Sequence, residues 1–205
     1  MSIDFKPVQR RLLAAGYAIG PADGIAGRNT WAAIFAYVAQ RSMAALLPFG
    51  EAASLHLPQS GIDQTAARIC NFVGQAAHEC NRFRNMREIW GPTPAQVRYE
   101  GRADLGNTRP GDGRRYLGRG IFQLTGRANY RQIGNAIGID LESNPELAET
   151  PDVAVQTAAF FWRTRNLNLV ADKGEEDRIT RLINGGTNGI ADRRQLVARA
   201  KGLFL

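Results

Sequence analysis

Glu79 is the residue whose type and position most suggest chemistry. Apolar side chains at Ile69, Phe72, Val73, Ala76, Cys80 and Phe83 recur at the spacing of one buried helical stripe, which predicts a helix over 63–80. On that helix Glu79 falls roughly 80° from the stripe centre, beside Gln75, at the rim between core and water. A carboxyl held there loses part of its hydration, which favours the protonated acid. That environment suits a general acid in the cleavage of a glycosidic bond. From periodicity alone, an ordinary surface glutamate is the commoner meaning of such a position.

Acid catalysis of this kind needs a second carboxylate, and Glu88 and Glu100 are the candidates. Glu88 lies nine residues beyond Glu79, half a turn out of phase if the helix continued. It can share a cleft with Glu79 only if the chain breaks and turns back near Asn81-Arg82, where asparagine tolerates the left-handed conformation. Glu100 is flanked by Arg98 and Arg102, which would keep it ionised. The residues leave this choice open. Beyond them, Gly111 to Gly120 forms a glycine-rich run that lacks the Gly-Lys-Ser/Thr ending of a phosphate loop. It suggests backbone held close to an extended ligand, with Tyr116, Phe122 and Tyr130 as sugar-stacking surfaces. Gln123, Thr125 and Asn129 could hydrogen-bond acetamido groups, although each taken singly fits a structural role as well.

The elements that must position these residues fall into two regions. In residues 1–41, an amphipathic stretch from Val8 to Ala15 stops at Gly16, and a turn-rich Gly20–Gly27 segment leads into a helix starting at Asn29-Thr30. Residues 42–205 read as mostly helical. Thr93-Pro94 and Thr150-Pro151 each place an N-cap before a proline at the first helical position. A basic amphipathic helix runs from Asp192 to Leu203, and Tyr116 to Leu124 is the best strand candidate, short and interrupted by glycine.

With 205 residues, 44% of them hydrophobic, the chain can bury one good-sized core. Its net charge of +7 favours polyanionic partners such as nucleic acid, anionic lipid or envelope polymers. Eight arginines stand between Arg98 and Arg131 against three acids. No zinc-finger spacing, aromatic RNA-binding signature or long basic helix accompanies them, so nucleic acid is not the expected partner. No apolar run is long enough to span a bilayer, and Met1–Lys6 lacks the features of a secretory signal, so a soluble chain made in the cytoplasm is expected. Cys70 and Cys80, on one predicted helix, would lie about 15 Å apart, too far to bridge, and are expected to be reduced packing residues rather than metal ligands.

Two resemblances carry the reading further. Leu13, Gly16, Tyr17, Pro21, Asp23, Gly24, Ile25, Gly27 and Thr30 match the pattern of peptidoglycan-binding modules, with the usual first helix shortened or missing. Ala77-His78-Glu79, the run Tyr116-Leu117-Gly118-Arg119-Gly120-Ile121-Phe122-Gln123-Leu124-Thr125-Gly126, and Ile183-Asn184-Gly185-Gly186 resemble family 19 glycoside hydrolases, the plant-type chitinases and related endolysins. Pro110-Gly111-Asp112-Gly113 ahead of the second motif is most like the phage endolysin branch. The second resemblance spans about residues 45 to 203. It implies a mainly α, lysozyme-like helical domain with a small β element and a substrate cleft, working by an inverting mechanism without metal or cofactor. It further implies Glu79 as general acid, Glu88 as the water-activating carboxylate with Glu100 as alternative base, and Thr125 holding the water. Tyr116, Arg119, Gln123, Asn129, Tyr130 and Asn184 are the expected sugar-binding residues. One departure stands out: this chain has His78-Glu79-Cys80-Asn81-Arg82-Phe83 where the family commonly has His-Glu-Ser/Thr-Gly-Gly-Phe. The expected activity is that of a monomeric, endolysin-type hydrolase of bacterial peptidoglycan, without stable membrane insertion. The alternatives are a chitinase and a non-catalytic wall-binding protein.

Overall fold

The helix expected over 63–80 forms, as α4 (Ala66–Glu79), and most of the structure is arranged around it. Thr65 starts it: its hydroxyl oxygen accepts the Arg68 N–H at 3.2 Å, satisfying one of the free donors of the first turn. The predicted stripe is wholly buried, with Ile69, Phe72, Val73, Ala76 and Cys80 all inaccessible. A computed structural model describes residues 3–204 and shows eleven α-helices among them. The remaining helices are α1 (Lys6–Ala14), α2 (Arg28–Ala39), α3 (Met43–Gln59), α5 (Pro94–Val97), α6 (Asp112–Arg115), α7 (Arg127–Ile137), α8 (Pro151–Thr164), α9 (Leu167–Asp172), α10 (Glu176–Asn184) and α11 (Ile190–Phe204). Along α4 lies α11, while α2 packs on α3 and α3 on α8.

Two cores result. The larger joins Phe5, Leu12 and Trp31 from the N-terminal helices to Phe72 and Cys80 of α4, Trp162 of α8 and Leu196 of α11. The expected division at residue 41 therefore separates no cores: α2 buries Trp31, Ile34, Phe35 and Val38 in the middle of the larger one. The smaller core, Tyr116, Tyr130, Leu141, Ala148 and Val153, lies under the glycine-rich loop and α7. No described helix is long and apolar enough to cross a membrane.

Local signals met mixed outcomes. Thr93 forms a full capping box with Gln96 at the start of α5. Thr150 occupies the N-cap position of α8, but its hydroxyl donates to the Leu147 carbonyl instead of capping. The expected strand over 116–124 is absent. Gly120 at φ 76° and Gln123 at φ 50° fold this run back on itself, leaving only isolated bridges of Arg119 to Leu124 and to Arg87. Left-handed residues cannot extend a strand, and the glycine and the turn at Gln123 override the apolar pattern.

Candidate active site

Glu79 is the last residue of α4, and its carboxylate is mostly buried with 17% of the side chain exposed. Its Oε1 lies 2.6 Å from Nη2 of Arg193, itself only 3% exposed. No directed hydrogen bond reaches Oε1, so the contact is one of charge rather than of alignment. Arg193 is fixed from two other sides: Nη1 donates to Gln75 Oε1 at 2.6 Å, and Nε donates to the Asn188 carbonyl at 3.1 Å. Gln75 in turn donates to the Thr180 hydroxyl at 2.9 Å. The rim position read from sequence is thus found, with a buried cation beside it that the reading missed. A signal for it existed: Arg193 shares one face of the last helix with Leu196, Val197 and Ala200, an arginine on an otherwise apolar stripe.

Immediately after Glu79 the chain reverses. Asn81, Arg82 and Phe83 adopt φ of 49°, 58° and 59°, three left-handed residues in succession and none of them glycine. Such a turn costs roughly 1–2 kcal/mol per ordinary residue, so surrounding contacts must hold it. They do. Phe83 is buried against Phe35 and Phe49, with ring centroids 4.9 Å and 5.3 Å away. Arg41 Nη1 donates to the Arg82 and Phe83 carbonyls at 3.1 Å and 2.7 Å. The Arg82 guanidinium is bidentate on Asp192, at 3.0 Å and 2.5 Å. Asp192 also holds Nδ1 of His78 at 2.6 Å. Its Arg82 and His78 contacts draw the Asp192 carboxyl down to about 2. One carboxylate therefore ties the residue before Glu79, the turn after it and the helix that carries Arg193.

The reversal delivers residues 86–88 alongside the glycine-rich loop. Gly120 N–H donates to the Met86 carbonyl and Glu88 N–H to the Gly118 carbonyl, both at 2.8 Å. The Glu88 side chain is gripped by the loop layer: Gly118 N–H donates to Oε2 at 3.1 Å, and Gln96 Nε2 donates to Oε1 at 3.0 Å. The Tyr99 hydroxyl lies 3.4 Å from the same Oε1. Gly118 is the meeting point. A Cβ placed on it would lie 2.5 Å from Gln123 Oε1 and 3.3 Å from both Glu88 Oε2 and Thr125 Oγ1. Glu88, Gln123 and Thr125 therefore surround one bare stretch of backbone. The Thr125 hydroxyl donates to the Gln123 carbonyl at 2.9 Å. Thr125, Gln123 and Asn129 line a cavity of about 310 Å³ whose other wall includes Phe122 and Phe161.

Other expected site residues have different work. Glu100 has both oxygens occupied by the loop backbone, accepting from Gly111 N–H at 2.6 Å and Gly113 N–H at 2.8 Å. Tyr116 and Tyr130 are not the expected sugar-stacking surfaces: 2% and 0% exposed, they pack on each other at a tilt in the smaller core and offer no ring face to a sugar. Aromatics near the glycine-rich run read as surface platforms because the sequence does not show that the face of α7 carrying Tyr130 packs on Tyr116, Leu141 and Val153. Arg119 borders the cavity but is buried, with Nε on Glu149 Oε1 at 2.7 Å and Nη1 on the Tyr130 hydroxyl at 3.1 Å. Asn129 Nδ2 donates to the Thr125 carbonyl at 2.7 Å, steadying that residue. Asn184 ends α10 and shapes the following turn, accepting from Gly186 N–H and donating to the Asn188 carbonyl.

A mainly helical body with a small loop layer, holding one glutamate at a helix end and another against glycine backbone, is the architecture of a lysozyme-like glycoside hydrolase. The chain belongs to glycoside hydrolase family 19: the family model described as class I chitinase matches residues 52–173, more than half its length. A family 19 domain-containing protein of Haemophilus influenzae is 38% identical over 98 residues, 48% of this chain and 47% of that protein. Rice (Oryza sativa subsp. japonica) chitinase 11 is 36% identical over 107 residues, covering 51% and 39% of the two chains. The chain thus spans less than half the length of either relative. The crystal structure of a mutant chitinase C superimposes with a TM-score of 0.68 over 90% of this chain and 95% of that one, at 20% identity, which supports the fold.

Proposed function

We propose that the chain hydrolyses β-1,4 bonds between N-acetylated amino sugars, with Glu79 as general acid and Glu88 as general base. The observation that carries this is the convergence of Glu88 Oε2, Gln123 and Thr125 Oγ1 around Gly118, beside a cavity lined by Gln123, Thr125, Asn129, Phe122 and Phe161. Glu88 and Thr125 would hold and deprotonate the attacking water, while Glu79 protonates the departing oxygen. Arg193 then faces the charge left on Glu79 once its proton is gone. Such a single displacement inverts the anomeric centre and needs the two carboxylates about 6.5–9.5 Å apart. Glu88 is preferred to Glu100 as base because its Oε2 meets Gln123 and Thr125 around Gly118, whereas Glu100 is turned to the backbone of Gly111 and Gly113.

For substrate we favour bacterial peptidoglycan, in the manner of an endolysin made in the cytoplasm and acting on the wall. The charge of +7 supports this, as does the wall-module resemblance of the N-terminal turn. Gln9 pins that turn through Asp23, Gly24 and Ile25, and leaves Ile25 71% exposed. The second reading, chitin, rests on the names of the relatives. Reducing-end release from purified peptidoglycan and from chitin oligomers, with a mass spectrum of the products, separates the two. Glu79→Gln and Glu88→Gln are each expected to lower turnover by roughly 10²–10⁴ without loss of helical signal. Glu100→Gln is expected to keep most activity while loosening its loop by about 1–2 kcal/mol. Full activity in Glu79→Gln would end the acid assignment, and an inactive Glu100→Gln beside an active Glu88→Gln would exchange the bases.

A further inference from the structure

The cavity beside Thr125 carries a charge that the protein itself does not answer. Two arginines border it. Arg119 is spent on Glu149, on the Tyr130 hydroxyl and on the Arg115 carbonyl. Arg165 is exposed, and no carboxylate among the described residues lies within ion-pair distance of it. Its guanidinium carbon sits 4.3 Å from the centroid of the Phe161 ring, and that ring packs on Phe122 at 5.2 Å. The stacked aromatic face fixes the guanidinium and shields one side of it from water. Its in-plane N–H groups remain available for two parallel hydrogen bonds to a carboxylate.

We infer that Arg165, braced by Phe161 and Phe122, forms a subsite for a carboxylate carried on the substrate, in the wall of the cavity that Gln123 and Thr125 also line. This rests on the peptidoglycan reading and sharpens it. A polymer of N-acetylglucosamine is neutral and offers Arg165 no carboxylate. Peptidoglycan carries a carboxyl function on each muramic acid, either the lactyl carboxylate of bare glycan or the carboxylates of the stem peptide. A cavity of about 310 Å³ lies at the small end of ligand pockets, enough for a sugar ring or a short substituent. Arg165 also directly follows the last residue of α8, where any cation complements the negative helix end. That second role would change stability but would not distinguish one substrate from another.

The test compares wild type, Arg165→Gln and Arg165→Lys on four soluble substrates. These are peptidoglycan fragments with stem peptides, the same glycan with stems removed, that bare glycan with its carboxylates amidated, and chitin oligomers. For Arg165→Gln, kcat/KM is expected to fall about tenfold on a carboxylate-bearing substrate and to stay unchanged on amidated glycan and chitin oligomers. Arg165→Lys should recover part of the loss. Whether it appears with stems, with bare glycan or with both identifies the carboxylate. An equal loss on all four substrates, or none on any, overturns the subsite while leaving the peptidoglycan reading in place. Wild-type cleavage of chitin alone overturns both.

Discussion

The two carboxylates proposed for catalysis are held in place by different means. Glu79 stands on the large helical core, at the end of a buried helix, and is positioned by side chains: Arg193, Gln75, and the Asp192 clasp on its neighbours. Glu88 stands on the small loop layer and is tied to the Gly118 main chain through both its N–H and its carboxylate, with the Gln96 amide and the Tyr99 hydroxyl on its other oxygen and Gly118 giving it room. Side-chain positioning distributes the constraint over several charged groups, each of which can be changed singly. Main-chain positioning concentrates it in the absence of a side chain at one residue. The helical half should therefore fail by losing stability, and the loop half by losing geometry.

The sharpest way to break this contrast is at Arg193. Removing it in Arg193→Leu leaves Glu79 buried beside no cation, and breaking such a pair costs about 3–5 kcal/mol. A denaturant titration should show that loss, with activity falling alongside. If stability holds, Glu79 is not positioned by this pair. Gly118→Ala is the counterpart in the loop layer. Its new methyl would press Gln123 Oε1 and crowd Glu88 Oε2 and Thr125 Oγ1. Turnover is expected to drop by roughly 10²-fold, the scale of a small misplacement, with the melting temperature nearly unchanged.

How far the sequence foretold this arrangement differs between the same two halves. The α4 stripe, its rim glutamate and the break after it follow from periodicity and residue type, because local spacing decides which face of a helix is buried. The loop layer was legible only through motif resemblance. Whether Tyr116 and the α7 face that carries Tyr130 meet each other or solvent depends on a long-range packing choice that no local pattern encodes, and Gln123 bends a run that composition alone reads as extended. Long-range pairing also hid Arg193, although its place on an apolar stripe was visible.

Acid distinguishes the halves more gently. Asp192 in the helical half and Glu142 in the loop half are both drawn down to about 2, the first by Arg82 and His78, the second by Arg131 and Arg127. Each carboxylate titrates lower in the folded chain than unfolded, so its contribution is full above about pH 4.5 and fades as pH falls toward 2. Melting curves across that window should slope downward. Asp192→Asn and Glu142→Gln should each remove part of the slope, and an unaltered slope in both would assign it elsewhere. The smallest effect is expected at the reversal itself. Asn81→Gly relieves one left-handed side chain and should shift stability by no more than about 1 kcal/mol with turnover unchanged, as a thermal melt and a reducing-end assay would show.

The burial of Trp31 and its helix in the shared core has a practical consequence for anyone wishing to retarget the molecule. In a protein built as beads on a string, a recognition cassette can be exchanged at its linker. Here excision would carry away part of the scaffold under the turn that follows Glu79. New specificity would have to be written onto the exposed Pro21–Gly27 turn, residue by residue, with the helices on either side left as they are.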